Sequence, residues 1–116
     1  MAIVSSHILD STNGKSAAGV RVVLRRRDSD GASSVAFDIR ADLEGRIAET
    51  IDLEDGKPGE YDLEFHAREY FSNAGVALTD SALSVVVLRF VIANPDKRYH
   101  MPIMLSPHSY SVWVST

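Results

Sequence analysis

Four histidines, His7, His66, His100 and His108, carry the acid–base chemistry available near neutral pH in this chain of 116 residues, which contains no cysteine. The absence of cysteine removes thiolate nucleophiles, disulfides and the strongest zinc signatures. The histidines lack the short local spacing that holds a metal ion, so no metal site and no cofactor are expected. What remains is proton transfer by imidazole, assisted by arginine, whose planar guanidinium offers two parallel donors to oxygen atoms. His7 stands in SSHILD and His100 in RYHMP, both in segments that read as strands, and His66 closes an alternating run on its apparent solvent face. The consecutive Arg25, Arg26 and Arg27 read as a hydrated strand end ahead of the Asp30-Gly31 turn.

The elements that position these groups follow from patterning. Twelve Lys+Arg against sixteen Asp+Glu give a net charge of −4, and the basic residues are scattered apart from the arginine triplet, which argues against nucleic acid as a partner. With 45% hydrophobic and 24% charged residues the composition is globular. No apolar run reaches the ~18 residues of a membrane span, so no membrane partner is expected. The start, MAIVSSHILD, lacks a basic segment followed by an apolar one, so no secretory leader is expected. One domain over residues 1–116 is the economical reading, all-β, with eight candidate strands between Gly and Pro punctuation, enough for two packed sheets. They are Val4–Leu9, Val20–Arg26, Ser34–Arg40, Gly45–Thr50, Tyr61–His66, Ser84–Val91, His100–Leu105 and Tyr110–Ser115. Tyr61, Leu63 and Phe65 alternate with Asp62, Glu64 and His66, as in a strand with one dry face. SVVVLRFVI, from Ser84, is apolar on both faces except for Arg89, which fits either an edge covered by another subunit or a central strand. Little room is left for an amphipathic helix; short helical turns are expected within Asp52–Glu60 and Asp80–Leu83.

Three ordered motifs carry a resemblance. YHMPIMLSPHSYS (Tyr99–Ser111) resembles the C-terminal motif of the transthyretin-like family, whose enzymatic branch comprises the 5-hydroxyisourate hydrolases. SHILDSTNGKSAAGV (Ser6–Val20) resembles its first-strand motif, and ADLEGR (Ala41–Arg46) its Asp-Gly-Arg turn, with Glu44 in place of the aspartate. GEYDLEFHAREYF (Gly59–Phe71) is similar to its Gly-Thr-Tyr strand and the Tyr-Phe that follows. The resemblance implies a two-sheet β-sandwich assembled as a homotetramer, a dimer of dimers, with sites along a central channel. It also implies a catalytic trio of His7, Arg46 and His100 acting on a small cyclic substrate. Period-two geometry then places Ser5, His7 and Leu9 on one face of the first strand, and Pro102 and Met104 beside His100, with Ser111 and Trp113 on the same face of the last strand.

That trio suits hydrolytic ring opening, which needs a base for water, a donor for the developing oxyanion and a proton for the leaving nitrogen. Either His7 or His100 is the base and the other orients or donates; Arg46 holds substrate oxygens and Ser111 adds a hydroxyl. Leu9, Met104 and Trp113 supply apolar walls. The family's typical enzymes end in Tyr-Arg-Gly-Ser, whereas here Trp113, Val114, Ser115 and Thr116 stand in those places, and VALTDSAL (Val76–Leu83) lies near the place of an aromatic-proline element. These departures bear on the substrate more than on the fold. Two other readings follow from them: a specialised catalyst for a different cyclic metabolite, and a small-molecule binder or interaction module without turnover. Val114-Ser115-Thr116 does not resemble a peroxisomal Ser-Lys-Leu address, so the cytoplasm is the expected location, with the peroxisome left open.

Overall fold

The computed structural model describes residues Met1–Thr116 and places ten strand segments in two sheets. In the first sheet β1 (Ala2–Asp10) is central. On one flank it pairs antiparallel with β5 (Arg46–Ile51) and, past its midpoint, with the two-residue β2 (Lys15–Ser16). On the other flank it pairs parallel with β8 (Arg98–His100) and β9 (Ile103–Leu105), and β10 (Tyr110–Val112) closes that edge antiparallel to β9. The second sheet runs in the order β4 (Ser33–Arg40), β3 (Arg21–Arg27), β6 (Gly59–Phe65), β7 (Val86–Ile92). This is the expected two-sheet sandwich.

Alternation decides which side chains fill the space between the sheets. Ala2, Val4, Ile8, Val22, Leu24, Tyr61, Leu63, Phe65, Phe90, Met101 and Leu105 all belong to one buried apolar cluster. Every second residue of β1 therefore goes to the core, and its alternates, Ile3, Ser5, His7 and Leu9, go to the other face.

Several expectations change. The single strand expected over His100–Leu105 is two, because Pro102 lacks an N–H and interrupts the ladder. Its register against β1 survives the gap: Ser5 is opposite His100 and Ile8 is opposite Ile103. The last strand likewise stops at Val112, followed by an isolated bridge between His100 and Ser115. A seven-residue helix, α1 (Ala67–Asn73), was not expected; its Ala67 and Phe71, four residues apart, enter the core. Two single 3-10 turns lie at Glu54–Gly56 and Leu78–Asp80, the second slightly ahead of its expected place. His66 is not on an open solvent face: its side chain is 21% exposed and lies 3.7 Å from Glu64. The arginine triplet is not simply hydrated either, since Arg25 pairs with Glu64, Arg27 with Glu60 and Asp62, and Arg26 donates to the Tyr61 hydroxyl.

The apolar strand β7 proves to be an edge, and its Val87 and Val91 are exposed. The Leu83 amide donates to the Pro107 carbonyl, which ties the segment before β7 to the turn before β10.

At the far end of β1, Asp10 is almost fully buried and accepts from the Thr12 amide and, at 2.8 Å, from the Tyr70 hydroxyl of α1. Burial, then the bond to Asp10, push the Tyr70 phenol up to about 12. Tyr70→Phe leaves one buried carboxylate oxygen without its donor, so a loss of about 1–3 kcal/mol is expected in urea unfolding; an unchanged midpoint would remove this contact from the account of how α1 is held.

Candidate active site

Cross-strand register assembles the site on the outer face of the first sheet. Arg46 is directly opposite His7, and His100 is directly opposite Ser5. Further along the same face Met104 is opposite Leu9, and Ser111 is opposite Met104. Beyond β10 the main chain of Ser115 exchanges both hydrogen bonds with His100, at 2.8 and 2.9 Å, which clamps the histidine's backbone between β1 and the tail. Trp113 lies in the stretch between and is 58% exposed.

Arg46 owes its position to the turn before it. The Asp42 carboxylate accepts from the Glu44 and Arg46 amides, both at 2.9 Å, and Gly45 turns the chain at φ +73°. The Gly45 carbonyl accepts from the Ile8 amide at 2.7 Å, and any Cβ at Gly45 would collide with the Ile8 carbonyl oxygen. Glycine is required twice over at this position, by the backbone angle and by the approach of β1. The Arg46 amide, followed by the Glu44 amide and the Arg46 charge, holds the Asp42 carboxyl below the usual carboxylate range, and His7 acts in the same direction.

A cleft of about 260 Å³ opens here, lined by Ser5, Ser6, Asp42, Arg46, Ile47, Ala48, Arg98 and His100. Its two arginines differ from those on the opposite sheet. Arg21 pairs with Asp38, Arg25 with Glu64, Arg40 with Glu69, and Arg89 with Asp62, whereas Arg46 and Arg98 have no carboxylate within ion-pair distance. A larger hollow of about 690 Å³ elsewhere contains the paired Arg26, Arg27, Glu54 and Glu60 and no histidine. The smaller cleft alone combines free positive charge with an imidazole. His100 Nδ1 is 2.8 Å from the Ser5 hydroxyl. Burial first, and then the charges of Arg98, Arg46 and His7, hold the His100 ring below its ordinary 6.5, which favours its neutral form.

Of the residues expected from sequence, Arg46 and His100 line the cleft. His7 flanks it as the neighbour of Arg46, with Nε2 3.4 Å from the Ser16 hydroxyl. Leu9, Met104 and Ser111 continue the same face past the cleft's lining, whereas Trp113 lies beyond the end of β10, outside the ladder, and does not line the cleft. Arg98 and Asp42 were not expected in the site, and Ser5, expected on its face, was given no role there. Period two contained the signal for Arg98 as it did for Ser5, since Arg98 precedes His100 by two residues.

Residues 4–114 match the HIUase/Transthyretin family. The chain belongs to this family. It is 39% identical over 114 residues to the 5-hydroxyisourate hydrolase of Caulobacter vibrioides, covering 97% of each chain. Among solved structures, the Klebsiella pneumoniae 5-hydroxyisourate hydrolase superposes with a TM-score of 0.81 at 27% identity over the full length of both chains. Sea bream transthyretin in complex with thyroxine gives 0.83 at 25% identity, covering 97% of this chain and 94% of that one. An (S)-allantoin synthase gives 0.84 at 28% identity; the chain spans 44% of its length. Relatives of this transthyretin-family sandwich are thus named as hydrolases, and one is described in complex with thyroxine, so the fold by itself does not assign the role.

An NMR titration of the His100 ring is expected to give a midpoint below 6.5; a midpoint above that value would mean that burial and the neighbouring cations do not control it.

Proposed function

We propose that this protein is a hydrolase that opens the ring of 5-hydroxyisourate, in uric-acid breakdown, by histidine-assisted attack of water. The observation that carries the reading is the grouping of His7, Arg46 and His100 on one sheet face, around a cleft whose arginines are unpaired. A planar anion rich in carbonyl oxygens is the kind of ligand that two free guanidiniums select. Arg98 supplies a second such group although Val114 stands where typical relatives carry arginine. One imidazole takes a proton from water, the hydroxide adds to a ring carbonyl, Arg46 steadies the oxyanion, and the carbon–nitrogen bond opens as the nitrogen is protonated.

Steady-state assays on freshly generated 5-hydroxyisourate test this. His7→Ala and His100→Ala are each expected to lose about 10²–10⁴-fold in kcat/KM, and Arg46→Ala about 10²–10³-fold. Activity near the unmutated level in all three would refute the assignment. The apolar rim of Met104, Trp113 and Val114, each more than 40% exposed, supports a second reading, a bulkier cyclic metabolite taken by the same residues. Faster turnover of such a compound than of 5-hydroxyisourate would favour it.

The working form in this reading is a homotetramer built as a dimer of dimers. Edge strand β7 exposes Val87 and Val91, and the site-bearing face exposes Ile3 and Met104, so two separate apolar surfaces are available for burial. Light scattering on the unmutated chain is expected to give four times its 12.7 kDa, and Val91→Lys a smaller species; a monomeric unmutated chain would overturn the assembly.

A further inference from the structure

The site leaves the division of labour between His7 and His100 unassigned, and the hydrogen bonds around Ser5 settle it. Ser5 Oγ has two side-chain partners: Arg98 Nε at 3.1 Å and His100 Nδ1 at 2.8 Å. A guanidinium can only donate, so Arg98 occupies a lone pair of the hydroxyl. The hydroxyl's single proton then needs an acceptor. The one within reach is His100 Nδ1, which must be unprotonated to accept it. Ser5 is 2% exposed, and no other protein acceptor is within hydrogen-bond distance of its hydroxyl.

We infer that Arg98 and Ser5 act as positioning residues that confine the His100 ring proton to Nε2, making His100 a hydrogen-bond donor to the substrate's carbonyl oxygen and leaving His7 as the base. The surroundings of the ring act in the same direction. Burial, then Arg98 from β8 and Arg46 from β5, oppose a second proton on His100, as does His7 once it has taken a proton, and Asp42, the carboxylate of the cleft, is already held by the Arg46 and Glu44 amides. A neutral imidazole cannot give up its last proton near neutral pH, but it can polarise a carbonyl through N–H. The ring therefore stabilises charge without transferring a proton.

This assignment rests on the hydrolase reading and gives a balanced cycle. His7 removes a proton from water as the oxygen bonds to the ring carbonyl carbon. The resulting oxyanion is held by His100 Nε2–H and by Arg46. When the oxyanion collapses, the carbon–nitrogen bond breaks and protonated His7 returns its proton to the leaving nitrogen. One water is consumed and both histidines end neutral.

The test is ¹⁵N NMR of the histidine-labelled full chain at neutral pH, with His100 assigned by its loss in His100→Gln. The expected result is an unprotonated Nδ1 and a protonated Nε2. Ser5→Ala should mix the two tautomers and Ser5→Thr should restore the single one. Arg98→Gln should weaken the preference and raise the midpoint of His100. Ser5→Ala is further expected to lower kcat about tenfold with KM within about twofold, as for one lost hydrogen bond in the transition state. A proton on Nδ1 in the unmutated protein, or an unaltered tautomer in Ser5→Ala, would overturn the inference. A spectrum as expected from a protein that does not open 5-hydroxyisourate would instead overturn the proposed reaction and with it the role of His100 toward substrate, leaving the control of the ring by Ser5 and Arg98 intact.

Discussion

Strand β1 is hydrogen-bonded along both flanks, antiparallel to β5 and parallel to β8 and β9, and the site depends on that double pairing. Each register does one thing for the chemistry. The first sets Arg46 against His7, and the second sets His100 against Ser5, a residue 95 positions away in sequence. Because neighbouring strands are about 4.8 Å apart, groups paired across them meet without any need for long loops to deliver them. The core face of β1 enforces both registers. A slip by one residue would exchange Val4, Ser6 and Ile8 for Ser5, His7 and Leu9 inside the sandwich, and an imidazole without a partner would meet apolar side chains.

Charge is distributed between the sheets in two different ways. The outer face of the β3–β6–β7 sheet carries a lattice of arginines and carboxylates in which Asp62 lies between Arg27 and Arg89. Paired charges of this kind attract no ligand strongly, because each already has its counterion. The cleft on the other sheet keeps Arg46 and Arg98 without carboxylate partners and commits Asp42 to backbone amides. Positive potential is therefore concentrated where His100 stands, which favours an anion and adds to burial in disfavouring a second proton on the ring.

Much of this was legible in the sequence, for reasons of unequal strength. Alternation at Tyr61, Leu63 and Phe65 fixed the buried face of β6 by itself, and the motifs around His7, Arg46 and His100 carried the family and its sandwich. Local patterning could not rank β7 as edge or centre, because strand order is decided by pairings distant in sequence. It also passed over α1, whose seven residues are too few for a clear helical period, although Ala67, Tyr70 and Phe71 share a face. The role of Ser5, and Arg98 altogether, were missed for a chemical reason. Their types are common on surfaces, and only their convergence on one hydroxyl distinguishes them.

The alternation of β1 has a consequence for how such a protein diverges. Residues that hold the sandwich together and residues that meet a small molecule occupy odd and even places of the same strands, so selection can act on one set while the other stays fixed. Point substitutions on the outward set, or in the exposed tail where Trp113 and Val114 stand, leave the inward set intact. An insertion or deletion inside β1 has no such freedom, since it exchanges the two sets at once. Lineages built on this sandwich should therefore change specificity through single replacements and confine length changes to the turns, a route by which a hydrolase and a relative solved in complex with thyroxine can share one backbone.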